Sequence, residues 1–76
     1  MRNILINVIK EINPFDDFDE KTDLIGEGIL DSLTLMTFIE QIENRVDVHI
    51  PEETIEIENF LNIESIERLL KGLNAG

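Results

Sequence analysis

Apolar residues recur at helical spacing in three separate stretches of this chain. Ile4, Leu5, Val8, Ile9 and Ile12 follow i, i+1, i+4, i+5 and i+8, one face of a helix that Pro14 stops just beyond Asn13. Leu35, Phe38, Ile39, Ile42 and Val46 make a second stripe, and Ile63, Ile66, Leu69, Leu70 and Leu73 a third. Only Val46, Val48 and Ile50 alternate with polar residues, a run too isolated to build a sheet, which reads as an extended connector ahead of Pro51. Glu52-Glu53-Thr54 start a short turn of helix carrying Ile55 and Ile57, and Phe60 packs in the junction that follows. Asn62 caps the last helix, Gly72 falls near its end, and Asn74-Ala75-Gly76 should fray. The expected fold is therefore all-α, a small four-helix bundle with a long loop between helices one and two and a short third helix.

A chain of 76 residues makes one domain, spanning 1–76, with no room for a second core. It buries only a little over 60% of its unfolded surface, which sets a stability of roughly 4–11 kcal/mol. The net charge of −11 repels nucleic acid and anionic membranes and attracts basic protein surfaces. Solubility alone would account for such acidity equally well, and self-repulsion predicts a fold stabilised by added salt. There is no cysteine, so disulfides and cysteine-based zinc sites are excluded. No apolar run approaches the roughly 20 residues that span a bilayer, and Met1-Arg2-Asn3 leads into structure instead of a signal peptide. A cytoplasmic monomer is expected.

The connection from about Asn13 to Leu30 is long for so small a domain, and such loops are usually functional. It interleaves Asp16, Asp17, Asp19, Glu20 and Asp23 with Phe15, Phe18, Leu24 and Ile25, which suggests that it packs against the helices. The acidic run does not fit a calcium-binding EF-hand loop. Counted from Asp17, Lys21 and Thr22 fall at positions 5 and 6; counted from Asp19, Lys21 falls at position 3 and Leu24 at position 6.

The second helix, Ser32 to Val46, starts on a good N-cap residue, Asp31. Ser32 thus sits in the first turn, where unpaired backbone N–H groups and the positive end of the helix dipole favour an anion such as a phosphate ester. Leu33, Met36 and Glu40 lie nearer the Ser32 side of the helix. Spacing leaves Leu33 and Met36 open to two readings, core filling or an apolar patch flanking whatever Ser32 carries. Catalysis by the chain itself is not expected. The Gly-x-Ser-x-Gly pattern has Leu30 and Thr34 in its glycine positions, the single histidine, His49, has no evident relation to Ser32, and Gly26-Glu27-Gly28 lacks the residues of a phosphate-binding loop.

Leu24-Ile25-Gly26-Glu27-Gly28-Ile29-Leu30-Asp31-Ser32-Leu33, followed by an amphipathic helix, resembles the phosphopantetheine attachment region of acyl and peptidyl carrier proteins. The resemblance takes in the first helix, the long loop, Ile50-Pro51-Glu52-Glu53 and the Glu58-Asn59-Phe60 run as well. It implies that Ser32 receives 4′-phosphopantetheine from coenzyme A through a magnesium-dependent phosphopantetheinyl transferase. The arm's thiol would then carry acyl or aminoacyl groups as thioesters, taken from a loading ligase and delivered to downstream transferases or synthases. Asp31, Leu33, Met36 and Glu40 become partner-recognition residues on this view. Ile29-Leu30 ahead of Asp31, with Thr34 and Thr37 at outer positions, is more similar to stand-alone peptidyl or D-alanyl carriers than to housekeeping fatty acid carriers. The alternatives are a non-enzymatic acidic helical adaptor with an unmodified carrier-like fold, and a cation-binding protein.

Overall fold

The computed structural model describes the backbone of residues 1–75 and the side chains of residues 1–73. Three α-helices, α1 (Arg2–Ile12), α2 (Ser32–Val46) and α3 (Ile63–Ala75), account for the regular structure, and no strand occurs among the described residues. The expected fraying of 74–76 lies outside the described side chains.

Each apolar stripe becomes one wall of a common core. Leu5, Val8 and Ile9 of α1 meet Phe38, Ile39 and Ile42 of α2 and Ile63, Ile66 and Leu70 of α3. Leu35, Val46, Leu69 and Leu73 are partly buried at its margin. Helix α1 packs on both α2 and α3. At the surface, Arg45 of α2 forks onto the Glu11 carboxylate of α1 at 2.7 and 2.9 Å. Arg2 spans the Glu67 carboxylate of α3 at 3.0 and 3.2 Å and also meets Glu20 of the long loop. These pairs orient the helices more than they stabilise them, because solvent screens exposed charges.

The short third helix is not formed as an α-helix. Two 3₁₀ turns, Glu52–Thr54 and Ile57–Phe60, stand in its place, with Glu56 extended between them. Side chains tie down the backbone that a helix would have paired: the Thr54 hydroxyl donates to the Pro51 carbonyl at 2.7 Å and the Asn59 amide to the Thr54 carbonyl at 2.8 Å. Glu52 and Glu56 would repel one another at i, i+4, and β-branched Ile55 and Ile57 weaken helix propensity further. Phe60 is buried as expected and the second turn packs on α3, whereas Ile57 points outward at 62% exposure.

Helix α2 ends at Asp47 in the left-handed conformation (φ 56°), which a short polar side chain tolerates. The following connector is anchored by the Glu43 carboxylate, which accepts the Ile50 N–H at 2.8 Å, so that Ile50 is buried. The 13–30 loop is folded onto the core through buried Leu24, Ile29 and Leu30 and half-buried Phe18 and Ile25. Phe15 is the exception and lies wholly in solvent.

Candidate functional site

The approach to Ser32 is a clamped loop. Leu24 donates to the Leu61 carbonyl at 2.8 Å, and Leu30 donates back to the Leu24 carbonyl at 3.0 Å, so the segment between them closes on itself. Within it the Asp23 carboxylate accepts the Gly26 N–H at 2.7 Å, and any side chain at residue 26 would collide with that carboxylate. Gly28 turns the chain with φ +75°, a conformation that costs a side chain strain. Ile29 and Leu30 then plunge into the core, and the Asn13 side-chain amide donates to the Ile29 carbonyl. Asp31 and Ser32 emerge at the surface directly after this anchor.

Asp31 caps α2 through a reciprocal box. Its carboxylate accepts the Leu33 and Thr34 N–H groups at 3.0 and 2.9 Å, while the Thr34 hydroxyl accepts the Asp31 N–H at 2.7 Å. The Thr34 backbone donor, then its hydroxyl and the Leu33 donor, hold the Asp31 carboxyl below the usual carboxylate range. This corrects one expectation. Two of the first-turn N–H groups are already taken by Asp31, and among the described residues only that of Ser32 lacks a partner. The helix start therefore offers an anion on Ser32 a favourable dipole, but no cradle of free donors.

Ser32 is exposed, and its hydroxyl makes no hydrogen bond among the described residues. Leu33 and Met36, left open between core and surface by the sequence, are at the surface, 80% and 52% exposed. Met36 and Glu40 follow Ser32 at successive intervals of four residues, and all are exposed, so Ser32, Leu33, Met36 and Glu40 share the outward side of α2. No Lys or Arg occurs between residues 22 and 44, so this outward side carries only negative charge. His49 lies beyond the far end of α2, about 20 Å of helix from Ser32, exposed and 3.4 Å from the Glu43 carboxylate. It is not placed to serve as a base for Ser32.

The site is thus an exposed serine that follows a clamped loop, flanked by apolar and acidic residues and far from the single histidine. In a comparison with family models, residues 3–71 match the model described as the phosphopantetheine attachment site. The chain belongs to that family. Its domain is the site of covalent 4′-phosphopantetheine attachment, and the chain is a phosphopantetheine-carrying carrier protein. Carriers of this family are typically non-catalytic and work with phosphopantetheinyl transferases and biosynthetic enzymes. Comparison with curated proteins returns no match. No helix among the carrier's described residues is long and apolar enough to cross a membrane.

Some of the carrier's site escaped the sequence reading. Thr34, an outer position by helical spacing, also closes the cap of α2; its place three residues after Asp31 is the signal that reveals it. Asp23, Gly26 and Gly28 shape the approach, and a glycine pair just downstream of an aspartate is the corresponding cue. The tie from Asn13 to Ile29 has no local signature, because it joins residues far apart in the chain.

Proposed function

We propose that Ser32 is the tether of the phosphopantetheine arm and that the carrier holds acyl or aminoacyl thioesters on it for delivery to biosynthetic enzymes. The observation that carries this reading is the exposed Ser32 hydroxyl, without a hydrogen bond among the described residues, at the first helical position after a loop locked to the core by Leu24, Ile29 and Leu30. The group fits these residues. The hydroxyl opens to solvent, where a long arm clears the fold, and the adjacent Asp31 carboxylate, which accepts the Leu33 and Thr34 N–H groups on one oxygen and keeps its negative charge, repels a phosphodiester outward. When bound, the arm supplies the thiol on which a thioester forms, a group that the cysteine-free chain lacks.

The chain's own part is positional. Ser32 Oγ would give its proton to a base on the transferase and bond the pantetheine-side phosphorus of coenzyme A, as the pyrophosphate P–O bond breaks and adenosine 3′,5′-bisphosphate leaves, while the clamped loop keeps that oxygen at a fixed place on the surface. Exposed Leu33 and Met36 present apolar contact area beside it, and Asp31 and Glu40 present charge to cationic residues on the partner. In a region without Lys or Arg, this charge steers a succession of basic partner surfaces at modest contact area, which suits a carrier that must let go. Stand-alone peptidyl or D-alanyl carriers are the subtype nearest in pattern, and a cytoplasmic monomer is the form we favour. The transferase, a loading ligase and downstream transferases or synthases are the partners this function requires.

Intact-mass measurement after incubation with coenzyme A, magnesium and a broad-specificity phosphopantetheinyl transferase tests the reading. A gain of one phosphopantetheine group is expected. A mass that stays unchanged while a control carrier is modified would leave the unmodified adaptor as the better account.

A further inference from the structure

Phe15 has no place in the core, although every other apolar residue of its loop does. Leu24, Ile29 and Leu30 are buried and Phe18 and Ile25 are half-buried, yet Phe15 is 99% exposed. The turn that presents it is constrained at three points. Asp16 N–H meets the Asn13 carbonyl at 3.4 Å, Pro14 occupies the second position of that turn and fixes its φ, and the Asn13 side chain is bonded to the carbonyl of Ile29. Ile29 lies only three residues before Ser32, so the aromatic ring stands at the tip of a turn fastened to the approach of Ser32. Asp16 and Asp17 follow it directly, both exposed.

We infer that Phe15, with Asp16 and Asp17 beside it, is a docking anchor for the enzyme that modifies Ser32, seated in an apolar pocket rimmed by Lys or Arg on that enzyme. The inference rests on Ser32 being the modified residue. The tie from Asn13 to Ile29 puts the ring on the approach to Ser32, where the modifying enzyme must reach the hydroxyl itself, and charge excludes two other occupants. A second copy of the chain would press one acidic run against another at a net charge of −11 apiece, and an anionic membrane is repelled in the same way. A basic-rimmed protein pocket satisfies the ring and the carboxylates together. A ring on a turn already closed by Pro14 loses little freedom on binding, the condition under which one aromatic residue contributes strongly.

The test is steady-state phosphopantetheine transfer by a purified broad-specificity transferase, with kcat and KM measured separately on the full chain. Phe15→Ala is expected to raise KM about tenfold, the loss of one buried aromatic contact, with kcat unchanged. Its thermal midpoint should match the wild type, since the ring touches nothing in the fold. Phe15→Leu regains part of the loss. Asp16→Asn combined with Asp17→Asn raises KM at low salt, and the difference fades as salt is added. Wild-type KM for Phe15→Ala overturns the inference while leaving Ser32 as the tether. A lowered midpoint, or a wild-type dimer in sedimentation that Phe15→Ala dissolves, overturns it in favour of an internal or self-association role. A wild-type chain that accepts no group at all removes the reading of Ser32, and this inference with it.

Discussion

The starts of α2 and α3 are built on one plan, with an Asp or Asn side chain capping the first turn and a serine following inside it. Asp31 accepts the Leu33 and Thr34 N–H groups; Asn62 accepts the Ser65 N–H at 2.8 Å. Both are preceded by a buried residue, Leu30 in one case and Phe60, two residues upstream, in the other. The order within the turn differs. In α2 the serine comes first and is exposed, and the apolar Leu33 beside it faces solvent. In α3 the first position is Ile63, fully buried, and Ser65 comes third, half-buried, with its own backbone donor taken by the cap. A capped helix start is thus not a site in itself. Access at the first position, and apolar side chains left uncovered next to it, separate the two.

The contrast is broken most simply through the serines, the only two in the chain. Ser32→Ala is expected to abolish phosphopantetheine incorporation, whereas Ser65→Ala leaves it at the wild-type level in the same intact-mass measurement. Next in size are the apolar anchors beneath each start. Leu30→Ala and Ile63→Ala should each lose about 2–5 kcal/mol in urea unfolding, because both side chains are buried and leave cavities. That is a large part of the stability of so small a domain, and equal losses would show that the two starts differ in access and not in anchoring.

Gly28→Ala probes a feature that only the α2 start possesses. A side chain at φ +75° costs about 1–2 kcal/mol, which denaturant melts will read as a lowered midpoint at unchanged slope. The smallest effect separates the caps by pH. Asp31 has its carboxyl held low in the folded state, so its stabilisation is present above the unfolded value of about 4 and is lost as pH falls through the folded value. The thermal midpoint of wild type should therefore exceed that of Asp31→Asn near neutral pH and converge with it in acid. Glu11, Asp19 and Glu67, also held low, titrate alike in both proteins and cancel from the difference. Asn62 bears no charge, and Asn62→Ala should show a loss that acid does not erase.

Periodicity made the three helices legible, because each apolar stripe has its own wall of the core to fill. Asp31 and Asn62 were legible as caps for a similarly local reason: a side chain and the N–H groups it pairs with lie within three residues. The region of residues 52–60 was less so. Its apolar residues fit a short helix, and what prevents one is side-chain bonding from Thr54 and Asn59 together with repulsion among glutamates. Leu33 and Met36 stayed ambiguous because helical spacing fixes which residues share a side, not which sides are covered by neighbours. Phe15 misled for the same reason: its loop is as apolar as a packed one, and only the turn at Pro14 throws its ring outward.

Fragmentation of the modified protein, locating the added group along the chain, tests the central claim most directly. The group is expected on the peptide containing Ser32, with the peptide containing Ser65 at its unmodified mass. Attachment at Ser65 or at a threonine would contradict the account, since an accessible first position on a capped helix would then not be what selects the tether.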